Sequence, residues 1–165
     1  GTQTSLWTYY TNERPPLWII PAWPVASLAI DRLVRILDAF APRKDFYRPL
    51  YWLTFGSFYA VMLAFTAPTF DRSLTVASLL LVAFLILTPT DHRRSLLIFA
   101  AGSGLGYYLE LWGTTRECWT YYTLQTPPFF AVLAHGMAAL AFWRAQHALE
   151  GLSSRLLARL RVQTS

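Results

Sequence analysis

Apolar residues run in blocks along this chain, with polar and basic residues gathered between them. Leu17 to Ile30 is apolar, and Asp31, Arg32, Arg35 and Asp38 continue the same periodic segment. Pro49 to Ala67 carries no charge, Ser73 to Leu87 carries none, and Ser95 to Trp112 carries one acid. A fifth block runs from Pro127-Pro128 to Trp143. Blocks of this length are helices rather than strands, so the pattern predicts an all-α chain of five helices. Proline is tolerated in a first helical turn, where its missing N–H has no partner to lose, so Pro15-Pro16 and Pro127-Pro128 mark helix starts. Pro21 and Pro24 should kink or loosen the first turns of helix one. The segment 144–162 sets Arg144, Arg155, Arg159 and Arg161 between leucines and predicts an amphipathic extension on a bilayer surface.

Composition turns helices into spans. The 165 residues are 55% hydrophobic and only 14% charged, with seven tryptophans, which points to a polytopic transmembrane helix bundle of about five spans in a single membrane domain. The third block only just spans at about 1.5 Å per residue. Charge then orients the bundle. If the spans alternate, one side receives Arg32, Arg35, Arg43, Lys44, Arg48, Arg93, Arg94, Arg144, Arg155, Arg159 and Arg161, and the other only Arg14, Arg72 and Arg116. By the positive-inside bias the first side is cytoplasmic, in a cell inner membrane, with the C-terminus inside. The net charge of +5 is thus topological, and no nucleic acid is implied. One cysteine, Cys118, leaves no internal disulfide and no cysteine-rich metal site, and three scattered histidines do not make one either. No signal peptide is evident.

One stretch occurs twice. Trp7-Thr8-Tyr9-Tyr10-Thr11, three variable residues and Pro15-Pro16 recur as Trp119-Thr120-Tyr121-Tyr122-Thr123, three residues and Pro127-Pro128. The offset of 112 also aligns Gly1-Thr2 with Gly113-Thr114, Ala22 with Ala134, Ala26 with Ala138, Leu28-Ala29 with Leu140-Ala141 and Arg32 with Arg144. This reads as an internal repeat, copy one over 1–40 and copy two over about 95–150. Four helices separate the copies, so the repeat is parallel and both aromatic loops face outward. A helix leads into Gly113 and none into Gly1, which suggests an N-terminally truncated chain.

Glu110 is the sharpest chemical candidate. Gly102, Gly106 and Glu110 fall at i, i+4 and i+8 on one helix face, and the GxxxG spacing lets a neighbouring backbone approach. A carboxyl pointing into that packed interior is a candidate acid, its pKa expected to rise with burial. The plainer reading is an interfacial carboxylate that bonds loop amides or Arg116. His135, eight residues into helix five, could carry a proton, ligate haem or chlorophyll, or bond between helices. Depth counting sets it apart from Glu110, so direct pairing would need a bridging water or a kinked helix. Trp23 holds the aligned position in copy one. Trp7, Tyr9, Trp119, Tyr121 and Tyr122 read either as an aromatic belt or as the lining of a pocket for a flat or polyene ligand.

The arrangement Gly106-x-x-x-Glu110-x-x-Gly113, then Trp119-x-Tyr121, then Pro127, resembles the membrane carotenoid-biosynthesis proteins, the carotenoid hydratases and small helical lycopene cyclases, over residues 102–144. The chain lacks that family's Pro-Phe-Gly step and the cyclases' paired acidic motif. The resemblance implies that Glu110 protonates a polyene double bond while Trp119 and Tyr121 face the cation. Two functions stay open. One is acid chemistry on an isoprenoid or carotenoid-like lipid, with Glu110 and His135 catalytic. The other is a non-catalytic subunit of a larger photosynthetic or respiratory membrane complex, binding pigment, quinone or haem. Membrane lipid and a hydrophobic ligand are the expected partners, and no cofactor is specified.

Overall fold

The structure is a computed structural model that describes residues 4–10, 16–42 and 45–163, with side chains described as far as 154. The alignment of Gly1-Thr2, the residues Thr11, Arg14, Pro15, Arg43 and Lys44, and the side chains of Arg155, Arg159 and Arg161 lie outside that description. The chain is all-α apart from two three-residue strands. In order come β1 (Trp7–Tyr9), α1 (Ile19–Phe40), α2 (Tyr47–Thr66), a 3-10 turn (Ala67–Thr69), α3 (Ser73–Leu87), α4 (His92–Thr115), β2 (Trp119–Tyr121) and α5 (Phe129–Gln163).

Helix one holds both of its prolines, Pro21 in its first turn and Pro24 inside it. Two boundaries differ from expectation. α4 runs past Gly113 to Thr115. The basic tail is no separate element, because α5 continues without interruption through Arg144 to Gln163. Nothing in 144–162 breaks a helix: the segment has no proline, and Gly151 alone costs only about 1 kcal/mol. Among the described residues one helical stretch, Tyr47–Thr69, is long and apolar enough to cross a bilayer, and Ser73–Leu87 is apolar but shorter.

The connections alternate between two ends of the bundle. At one end Arg93, in the first turn of α4, pairs with the Asp38 carboxylate and donates to the carbonyls of Asp38 (3.1 Å) and Ala41 (2.9 Å). A guanidinium there satisfies carbonyls that the end of α1 leaves open and suits the negative pole of that helix. The same device closes α3, where Arg144 donates to Leu85 O at 2.7 Å and the Tyr51 hydroxyl to Ile86 O at 2.9 Å. At the other end lie the 3-10 turn, the strands and the starts of α1 and α5. α1 and α5 thus run the same way, both antiparallel to α4.

The core is aromatic between α2 and α4, with Phe55 against Phe99 at 4.9 Å and Tyr51 fully buried. Between α4 and α5 it is made of small residues. A Cβ on Gly102 would fall 2.9 Å from the Gly136 Cα, and one on Gly136 would fall 2.5 Å from the Phe99 carbonyl oxygen. The two backbones therefore touch, as the GxxxG spacing foretold. Replacing Gly136 by Ala should destabilise the fold by about 1–3 kcal/mol, because the obstacle is backbone that cannot swing away. Gly56→Ala, which meets nothing within 4 Å, should instead be neutral or stabilise by up to about 1 kcal/mol. Thermal unfolding followed by circular dichroism separates the two; equal losses would mean that the close approach does not hold α4 to α5.

Candidate functional site

The two copies of the aromatic stretch lie side by side. β1 and β2 pair antiparallel, with Trp7 opposite Tyr121, Thr8 opposite Thr120 and Tyr9 opposite Trp119. The ladder is closed symmetrically, by Tyr10 N to Cys118 O (3.1 Å) and Tyr122 N to Leu6 O (3.0 Å). Each of these contacts maps onto its mate under the offset of 112. The backbone agrees as well: Ser5 (φ 60°) and Glu117 (φ 55°), aligned residues, both take the left-handed conformation. At Glu117 this conformation ends α4, with Glu117 N bonded to Thr114 O and Cys118 N to Gly113 O. The ribbon thus has a local twofold axis through the Thr8–Thr120 pair. Side chains alternate across a strand, so all four rings, Trp7, Tyr9, Trp119 and Tyr121, share one face.

Beneath that face lies a cavity of about 520 Å³. Its lining follows the repeat. Trp7 and Trp119, Tyr9 and Tyr121, Trp18 and Phe130, Ile19 and Ala131, Ala22 and Ala134, Trp23 and His135, and Ala26 and Ala138 are seven pairs, each separated by 112. Leu109 and Glu110, from α4, complete the wall. The cavity sits where the two copies meet, with α1 and α5 as its flanks. Trp23 and His135 stack across it, ring centroids 6.1 Å apart and planes inclined by 24°.

Glu110 is 4% exposed, and both of its oxygens are engaged. The Trp119 indole N–H donates to Oε2 at 2.9 Å, and the Tyr121 hydroxyl donates to Oε1 at 3.0 Å. His135 Nε2 lies 2.9 Å from the same Oε1. Direct pairing of Glu110 with His135 overturns the expectation of different depths. Because α4 extends to Thr115, Glu110 is more than a turn from its end, which matches His135 in antiparallel α5. Gly106 makes the room, since a Cβ there would be 2.5 Å from the Cβ of His135. Gly113 does the same for Trp119, whose ring occupies the space a Cβ would need. Arg116 is not the partner of Glu110.

Indole can only donate, and the Tyr121 phenol is held protonated: burial first, and then the charge and hydrogen bond of Glu110, raise its pKa far above 10. The contact of Nε2 with Oε1 is therefore the one of the three in which donor and acceptor can exchange roles, and it faces an apolar cavity.

Of the residues singled out in the sequence, Glu110, His135, Trp7, Tyr9, Trp23, Trp119 and Tyr121 all line this cavity. Tyr122 does not. One residue beyond β2, its ring packs on Phe65 at 5.2 Å and its hydroxyl donates to Phe65 O at 2.8 Å. Sequence reasoning missed Trp18, Ile19 and the alanine walls, although the aligned pairs Ala22/Ala134 and Ala26/Ala138 carried the signal. Among the described residues no group of three or more His, Cys, Asp or Glu could hold a metal ion. Compared with protein-family models, curated proteins and solved structures, the chain gives no match.

Two outcomes are expected. Glu117→Gly should raise stability by up to about 1 kcal/mol, since glycine takes a left-handed φ without strain; a loss in thermal unfolding would count against that turn. The Tyr121 phenol keeps its proton in the folded chain but releases it near pH 10 when unfolded, so folding binds protons above that pH and stability must fall as pH rises. Unfolding midpoints from pH 8 to 11 should decline less steeply in Tyr121→Phe; parallel curves would refute the assignment.

Proposed function

We propose that this chain is a polytopic membrane protein that holds an isoprenoid-like ligand between its two repeat copies and transfers a proton to it from the Glu110–His135 pair. The observation that carries the proposal is a buried carboxyl, hydrogen bonded to an imidazole, on the wall of an otherwise apolar and ring-lined cavity.

Support for the membrane reading comes from the outer surface. Leu53, Leu80, Leu81, Phe84 and Leu87 on α2 and α3, and Ile20, Val25 and Leu28 on α1, are well exposed. In water so continuous an apolar surface would be a liability; against lipid tails it is the expected finish. The alternating connections and the basic residues at one end suit five traverses with Arg48, Arg93, Arg94 and Arg144 on the cytoplasmic side. α1, α4 and α5 would then cross with their charges near the interfaces, and the aromatic ribbon would lie at the outer surface.

For the chemistry, the proton shared between Oε1 and Nε2 is delivered to one carbon of a C=C bond. A C–H bond forms, the O–H or N–H bond breaks, and the adjacent carbon becomes the cation. The tryptophan and tyrosine rings around the cavity attract such a cation through their π-faces. Loss of a neighbouring proton, or capture of water, ends the step and returns a proton to the pair. A haem or chlorophyll ligand at His135 is less well supported, because Nε2, the outermost nitrogen, is engaged by Glu110.

The test is proton exchange. Wild-type protein in D2O should place deuterium in an added polyene, and Glu110→Gln should slow this by about 100-fold or more while leaving binding in place. Unchanged incorporation removes Glu110 from the reaction. An absorbance spectrum of the purified protein showing bound pigment or haem, with no turnover, would favour the non-catalytic subunit instead.

A further inference from the structure

The second copy uses its indole and phenol, two residues apart on β2, to hold the two oxygens of one carboxyl. β1 presents the same two side chains at the same spacing, related by the local twofold and lining the same cavity. Burial raises the pKa of the Tyr9 phenol, hydrogen bonding from the Trp7 indole offsets part of that rise, and the charge of Glu110 adds to it. The hydroxyl therefore stays protonated at any physiological pH. It lines the cavity, and its proton has no acceptor among the described residues. A phenol O–H that faces an apolar cavity in this way is free to donate to a ligand oxygen.

We propose that Tyr9 is the docking point for a neutral acceptor oxygen, a carbonyl or hydroxyl, on an otherwise apolar ligand whose body lies under the four rings. This rests on the reading of the cavity as an apolar-ligand site and adds a polar end to that ligand. A carboxylate is the wrong head group: it would lose its water in an apolar cavity whose lining holds no lysine or arginine to pair with it. The geometry gives the ligand a direction, with its oxygen toward Tyr9 and its reacting carbons toward Glu110.

The test uses the full chain in detergent, with tryptophan fluorescence quenched by all-trans-retinal, by its hydrocarbon analogue axerophthene and by retinoate. Retinal should bind roughly 3- to 10-fold more tightly than the hydrocarbon, the worth of one hydrogen bond. Tyr9→Phe should erase that preference and leave the affinity for the hydrocarbon unchanged, while Thr8→Ala, on the outer face of the same strand, should keep it. An unaltered retinal preference in Tyr9→Phe, or tighter binding of retinoate than of retinal, overturns the assignment and leaves the apolar-ligand reading standing. Failure of all three probes to quench the wild-type protein overturns both.

Discussion

A carboxyl shut away from water is expensive unless its oxygens are served, and among the described residues no lysine or arginine reaches Glu110. The indole of Trp119, the phenol of Tyr121 and the imidazole of His135 take that role. Much of the local architecture follows from bringing these three groups to one place. α4 must lie against α5 closely enough for His135 to reach across, which Gly102, Gly106 and Gly136 permit. Gly113 must stay bare so that the Trp119 ring can fold back over the end of α4. β2 must be fixed so that its two donors point down together, and the strand that fixes it is its own duplicate, β1.

That last point joins the chemistry to the repeat. A three-residue strand has no stability alone. Paired with an equivalent strand, it gains a closed ladder and two cross-strand ring contacts, Trp7 on Tyr121 at 5.7 Å and Tyr9 on Trp119 at 6.2 Å. The same pairing brings the following helices, α1 and α5, to the two sides of one cavity. Small alanines at aligned positions leave the space between them open.

Much of this was legible in the sequence, and the reasons are physical. Block hydrophobicity has a long period and a strong signal, so all five helices could be read, α3 to its residue limits. Glycine spacing on one face of α4 marked where a backbone would approach and so where Glu110 would point. Two things resisted. Helix ends depend on capping and on what packs beyond them; α4 continues through Gly113 because Glu117, not a glycine, supplies the left-handed turn, and this extension set Glu110 level with His135. Pairing between Trp7–Tyr9 and Trp119–Tyr121 joins segments 112 residues apart, and no local pattern encodes it. The repeat did hold the answer indirectly, because related segments in a parallel duplication are candidates to meet about a twofold.

The departures from that twofold matter more than its preservation. Where copy two has His135, copy one has Trp23, and the two rings stack on each other at the axis. A symmetric pair of histidines would compete for one carboxyl. A tryptophan instead gives the imidazole a flat neighbour and leaves the carboxyl to His135 alone of the two. Duplication thus provides a roof and two matched walls, and substitution at a single aligned position sets an indole against an imidazole across the cavity.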